Sequence, residues 1–186
     1  MKFTETAIPG AWIVEPERRT DARGFFARVF CVDEFAAHGL ETGLVQANTG
    51  VSLRRGTLRG MHYQRGEAAE AKVVRCTQGR VFDVVLDLRP DSPAFRRWVG
   101  VELSAENEQM LYVPRGCAHG YQTLTDDAEL WYGATARYTP SAATGVRHDD
   151  PAFGINWPLD VTVISDADAA WPDFTQDGEV TCRQRC

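Results

Sequence analysis

Short apolar runs with a period of two, cut at close intervals by Gly, Pro and Asp, recur along this chain and leave it little choice but a β fold. Residues 71–76 (AKVVRC) are β-rich. Thr77-Gln78-Gly79 supplies turn chemistry, and RVFDVVLDL resumes at 80–88, a pattern that reads as a hairpin. Further strands are expected at 57–64, 97–103, 109–113, 119–124 and 128–138, with breaks at Arg89-Pro90-Asp91-Ser92-Pro93, Pro114-Arg115-Gly116 and Thr125-Asp126-Asp127. One segment reads as helical, EFAAH, with Asp33 as its cap and Gly39 just past its end. Many short strands joined by turns point to a sandwich or barrel, and the size suits a jelly roll.

The 186 residues amount to one domain, 1–186, with 172–186 as a loose tail. Folding a chain of this size buries about 70% of its unfolded surface, which needs no metal or disulfide staple. With 44% apolar and 25% charged residues, it is neither disordered nor fibrous. The formal charge of −6 argues against a nucleic-acid surface and confines any anion to a local basic pocket. No run of about 18 apolar residues is present to cross a membrane, and the first residues hold no apolar signal core. Five cysteines, scattered and without a CxxC pair, fit reduced thiols in the cytoplasm.

Several polar residues fall where a strand would place core. In LRGMHYQ (58–64), Leu58, Gly60, His62 and Gln64 share a parity, so His62 and Gln64 point into one space unless the strand lies on the surface. Lys72 is in phase with Val74 and Cys76 and either snorkels to water or meets an anion. Asp83 interrupts an apolar strand. It must reach solvent or find a positive partner, for which Lys72, His62 and Arg59 are candidates. His119 follows a turn between small residues, which either leave a ligand room to approach or surround a structural histidine. Tyr132 and Tyr138 share a face with alanines between them. They are core aromatics, or the ends of a trough about 20 Å long, comparable with an extended nucleotide-sugar. Four histidines without an HxH or HExxH spacing do not encourage a metal site, and the glycine-rich loops of nucleotide cofactors are absent. No cofactor is therefore expected.

In order along the chain, Asp21-Ala22-Arg23-Gly24-Phe25-Phe26, Gln46-Ala47-Asn48, LRGMHYQ (58–64), Lys72, GRVFDVVLDLRPDSPAF (79–95), PRGCAHGY (114–121), Tyr132, Tyr138-Thr139-Pro140 and DDPAFGINWP (149–158) resemble the dTDP-4-dehydrorhamnose 3,5-epimerase family. The resemblance runs from about residue 21 to 168 and implies a metal-free, cofactor-free, cupin-like jelly roll that forms a homodimer. Carried onto matching positions, it implies His62 as base, oriented by Asp168, with Tyr132 as acid and Lys72 stabilising an enolate. It implies Arg23, Gln46, Asn48, Arg59 and His119 as holders of substrate and diphosphate, and Tyr138 as a stacking partner for the nucleotide base. Asp83 joins this binding group as the charge partner within it.

The chemistry suits those residue types. Inverting a carbon beside a ketone needs a base for the α-proton, a cation or donor for the enolate oxygen, and a proton returned to the opposite face. Histidine is matched to neutral pH as that base, and Arg and Lys suit a diphosphate. Arg28, Ala143 and Ala167 depart from the family pattern, and the loop at 50–56 is about one residue longer. These departures leave open a C3-only or C5-only epimerase or a ketoisomerase on a related nucleotide 4-keto sugar. A metal-dependent cupin oxygenase and a non-catalytic nucleotide-sugar binding module are the alternatives of other classes.

Overall fold

Alternation decides the architecture, and it is plainest in β8, Arg80–Asp87. There Val81, Asp83, Val85 and Asp87 lie on one face and Phe82, Val84 and Leu86 on the other, with both faces covered. The computed structural model describes residues 1–175. Around β8 it arranges β1 Lys2–Glu5, β2 Trp12–Glu15, β3 Arg19–Asp21, β4 Gly24–Phe26, β5 Gln46–Ser52, β6 Leu58–Gln64 and β7 Lys72–Gln78. After it come β9 Trp98–Ser104, β10 Met110–Val113, β11 Cys117–Thr123, β12 Ala128–Ala134 and β13 Ala143–Gly145. Helices α1 Val32–Ala37 and α2 Asp166–Ala169 complete the set.

Two antiparallel sheets face each other. One has the order β1-β2-β10-β7-β12-β5 and the other β13-β6-β11-β8-β9, while β3 and β4 form a separate ribbon. Between the sheets lies the main core: Val74 and Cys76 from β7, Val81 and Val85 from β8, Leu103 from β9, Leu111 from β10, Tyr121 from β11 and Leu130 from β12. Phe35 of α1 and Leu40 cover the outer face of the six-stranded sheet against Val73 and Met110. Val146, Phe153 and Ile155 cover the outer face of the other against Met61, Val84 and Leu86. This is the all-β jelly roll that the strand spacing and size predict, of the cupin-like kind that the family resemblance implies.

Three local expectations change. Residues 71–76 and 80–88 form strands but not a hairpin, because β7 and β8 belong to opposite sheets. The chain turns a corner at Gly79 (φ +72°), where an added Cβ would stand 2.4 Å from Thr125 Oγ1. Both strands carry apolar inner faces, so crossing the sandwich buries two faces where a hairpin would bury one. Asp33 sits in the first turn of α1. Its N-cap is Cys31, without a side-chain cap bond, while Gly39 (φ +70°) closes the other end as expected. Finally, β12 stops at Ala134, four residues before the expected end. Tyr138 therefore lies beyond the strand, exposed and outside the cavity that Tyr132 lines, so the two tyrosines do not share a strand face.

Asp87 pins the turn that leaves β8. Its Oδ1 accepts from Arg89 N and Nε at 3.0 and 2.9 Å, and its Oδ2 from Arg89 Nη2 and Ser92 Oγ at 2.7 and 2.5 Å. Burial alone would raise this carboxyl, but the bonds from Arg89 and Ser92 hold it below the usual carboxylate range. A depressed folded-state pKa stabilises the fold above the unfolded value of about 3.9, and that contribution disappears as pH falls through this region. Asp87→Asn should therefore cost about 3 kcal/mol at neutral pH and flatten the loss of stability between about pH 5 and pH 3. Urea unfolding of both proteins across that range checks this, and parallel pH curves would contradict it.

Candidate active site

The β6–β11 pairing breaks step where the cavity needs it. His62 stands opposite His119 and Arg59 opposite Tyr121, so Gly60 and Met61 together face Gly120. Two glycines allow the backbones to meet: a Cβ on Gly60 would lie 2.5 Å from Gly120 Cα, and one on Gly120 would lie 2.8 Å from the Arg59 carbonyl. Gly120 is therefore filled by Met61 and Gly60, not left open to a ligand, and Ala118 belongs to the outer core. Because of the extra residue, Arg59 faces the same cavity as His62 while Met61 joins the outer cluster. Strict alternation would have kept Arg59 out.

The cavity measures about 550 Å³ between the sheets. His62, Arg59, His119 and Tyr121 contribute from the five-stranded side and Lys72, Leu130 and Tyr132 from the six-stranded side. Asp168 and Ser165 close it from α2 and the residue before it. His62 Nε2 is 2.6 Å from Asp168 Oδ1, and Asp168 Oδ2 accepts from Gly60 N at 3.2 Å. The Ser165 hydroxyl caps α2 through Asp168 N. Burial would raise the Asp168 carboxyl, yet the bonds from His62 and Gly60 N keep it below the ordinary range, so it is ionised at neutral pH. An ionised partner on Nε2 fixes the imidazole's tautomer and leaves Nδ1 for a ligand.

On the facing wall, Lys72 is nearly buried and reaches Glu70 Oε1 at 3.1 Å. Lys72 thus meets an anion instead of snorkelling. The other Glu70 oxygen accepts from Gln64 Nε2 at 3.0 Å, and Gln64 Oε1 accepts from Thr139 N at 2.6 Å. Tyr132, two strands from β10 and next to β7, has a phenol raised by burial and further by Glu70 and Tyr121, so it stays protonated through neutral pH.

Asp83 finds a hydrogen-bonding partner other than the three proposed. It is paired with His119 (Nε2–Oδ1 2.8 Å), behind the cavity wall, and not with Lys72, His62 or Arg59. The reason is register: His119 and Asp83 sit on adjacent strands with Tyr121 opposite Asp83, so His119 reaches it on the diagonal. Asp83 is fully buried and does not line the cavity, which corrects its expected place among ligand contacts to one behind His119. Arg59 donates to Ser52 Oγ and the Val51 carbonyl, both at 3.1 Å, and Ser52 Oγ is 3.5 Å from the Tyr121 hydroxyl.

Besides Asp83, four expected contacts lie outside the cavity lining. Arg23 is 90% exposed at the β3–β4 turn and bonds Asp21. Gln46 uses its Oε1 to accept from Tyr138 N at 2.8 Å, so it holds the Tyr138 turn. Asn48 stands opposite Tyr132 in register, with a buried Nδ2 that has no partner. Tyr138 projects outward, 64% exposed. Of the departures, Arg28 pairs with Glu34, Ala143 opposes Gln64, and Ala167 lies in α2 beside Asp168. Gly50, in the lengthened segment, does line the cavity. Sequence reasoning missed Glu70 and Tyr121, although each stands two residues from a singled-out residue and so shares its face. Ser52 was missed because β5 was not read as a strand. Among the described residues, no three of His, Cys, Asp and Glu converge on a point that would hold a metal ion.

The family model described as dTDP-4-dehydrorhamnose 3,5-epimerase matches residues 5–176. The Salmonella typhimurium dTDP-4-dehydrorhamnose 3,5-epimerase is 45% identical over 95% of this chain and 97% of its own. The Legionella pneumophila dTDP-6-deoxy-D-glucose-3,5-epimerase, solved in complex with dTDP-4-keto-L-rhamnose, superposes with a TM-score of 0.85 at 38% identity, covering 91% of this chain and 90% of that one. A 3′-monoepimerase from Streptomyces bikiniensis, in complex with dTDP-quinovose, superposes with a TM-score of 0.83 at 38% identity, covering 90% and 85%. With the family model spanning nearly all of a jelly roll whose cavity holds the His62–Asp168 pair and Tyr132, the chain belongs to the dTDP-4-dehydrorhamnose 3,5-epimerase family, a family of isomerases.

Proposed function

We propose that this protein inverts C3 and C5 of a dTDP-4-keto-6-deoxyhexose, in deoxysugar synthesis of the rhamnose type, by moving protons between two walls of one cavity. The observation that carries this is the position of the His62–Asp168 pair and the Tyr132 phenol on opposing sheets around the same space.

His62 Nδ1 takes the proton from the carbon beside the ketone, and the C–H electron pair moves into an enolate whose oxygen carries the charge. Lys72 stands on the wall to hold that oxygen, and a preset donor lowers the barrier more than one that must reorient. Tyr132 then delivers its hydroxyl proton to the same carbon from the opposite face, and water restores both side chains. The phenol suits this step because burial keeps it protonated. Asp168 suits its own because it stays charged and stabilises the imidazolium. Arg59 and His119 are assigned to the diphosphate, joined at the outer end by Gln46, Asn48 and the exposed Tyr138 ring. These basic groups give an acidic chain its local anion site. The reaction as written uses no metal or cofactor, and the reading includes a cytoplasmic setting.

Incubation with dTDP-4-keto-6-deoxyglucose in D₂O, followed by NMR, tests this directly. Wild type should wash deuterium into two ring carbons. His62→Asn should lose exchange at both by about 10³-fold or more, and full exchange in that variant would exclude His62 as base. In Tyr132→Phe, exchange should persist while inversion falls by about 10²-fold, because proton abstraction is spared. The relation to a 3′-monoepimerase supports one other outcome, a single labelled carbon, which would narrow the assignment to one centre.

The homodimer is part of the same proposal. Arg23 cannot serve the cavity of its own chain from an exposed ribbon tip, and beside it Phe25 and Phe26 stand 51% and 71% exposed. A second copy that covers this ribbon would bury both rings and bring Arg23 to a neighbouring cavity. Light scattering should give twice the chain mass, and Phe26→Asp should shift it toward the monomer. A monomeric wild type with full activity would contradict the dimer.

A further inference from the structure

Asp168 is carried by a helix of four residues in which it is itself the buried residue. One turn does not hold its own shape in water, and the bonds from His62 and Gly60 N fasten α2 to the sheet at Asp168 alone. The placement of α2 therefore comes from its flanks. Before it, Leu58 N donates to the Val163 carbonyl at 2.8 Å, which ties the entering chain to the start of β6.

After it, the Trp171 ring lies over Gly145, the β13 residue paired with His62, so closely that a Cβ there would stand 2.4 Å from the ring. Arg147 Nη1 meets Asp173 Oδ1 at 2.7 Å. Asp150, only 2% exposed, accepts from Phe174 N through Oδ2 at 2.6 Å and from Ala152 N through Oδ1 at 2.8 Å. The Phe174 ring packs 5.1 Å from Phe153 and 6.2 Å from Phe95. Asp173 and Phe174 fall in the stretch expected to be a loose tail, and here they are fastened to the body; the remainder of that stretch, 176–186, lies outside the described residues.

We propose that Asp150 and Arg147 are positioning residues for the epimerisation: they clamp Trp171–Phe174 onto the turn after β13 and so set Asp168 against His62. The proposal rests on the assignment of His62 as base. Neither residue lines the cavity, so each acts on the chemistry through α2. Their loss should lower turnover without touching the diphosphate contacts.

The test uses Asp150→Asn, which sets an amide N–H against a backbone N–H, and Arg147→Gln, which removes the charge from a partly exposed side chain and serves if the first variant does not fold. Two readouts are needed: deuterium exchange into the keto sugar, and the downfield NMR signal of the His62 ring N–H, assigned by its loss in His62→Asn. A role that is only structural would lower the melting temperature and leave both at wild type. The expected result is a ring signal that moves upfield or broadens and an exchange kcat about tenfold lower, with KM and dTDP affinity within about twofold of wild type. Arg147→Lys should restore part of the loss. The proposal is overturned if a folded variant keeps either the ring signal or kcat, or if the loss falls in KM alone. The two readouts separate the failures. Undiminished exchange in His62→Asn removes the base assignment, whereas the ring signal still reports whether the clamp sets the pair.

Discussion

The hydrogen bond between His62 and Asp168 joins residues 106 positions apart and decides which nitrogen of the imidazole faces the cavity. It can form only if β6 breaks register at Gly60, if the two sheets leave the cavity unfilled, and if the chain returns after β13 to lay α2 across its mouth. Much of the jelly roll serves that return. The outer cluster of Val146, Phe153 and Ile155 carries the chain back across the five-stranded sheet, and Asp150 at its start receives Phe174 N. Fold and site geometry thus share residues.

The cavity's electrostatics follow from what is paired. Glu70 pairs with Lys72 and also holds Gln64, whose side-chain carbonyl fixes the turn carrying Tyr138. Asp83 fixes His119, and Asp168 fixes His62. Each basic group except Arg59 therefore has a carboxylate behind it. Arg59 donates only to Ser52 and a backbone carbonyl, so its charge is left for an anionic ligand.

The β class and most strand positions were legible because buried strands advertise themselves by alternation, as in 80–88 and 97–103. Sheet membership was not. A turn such as Thr77-Gln78-Gly79 ends a strand in the same way whether the next one pairs beside it or crosses to the facing sheet. Short elements such as β1, β2 and β13 escaped for lack of length. At the site, His62 and Lys72 stood out because polar groups interrupted strand faces, whereas Tyr132 was noted only as one end of a trough with Tyr138 and its role came from the resemblance. The partner of Asp83 did not, since it lies on a strand 36 residues away and only register selects it. Arg59, expected at the site from the resemblance, reaches it because a register break shifts parity, and nothing in LRGMHYQ announces where the extra residue goes. Asp168 had no signal of its own and came from family resemblance alone.

The account stands on one ring of substrate lying between an imidazole and a phenol. A crystal structure of the protein with a bound dTDP-4-keto-6-deoxy sugar measures that directly. It should show the carbons beside the ketone between His62 Nδ1 and Tyr132 Oη, each group approaching a different face to within about 3.5 Å, with His62 Nε2 still on Asp168. A sugar ring bound elsewhere in the cavity, or approached by both side chains from one face, would contradict it.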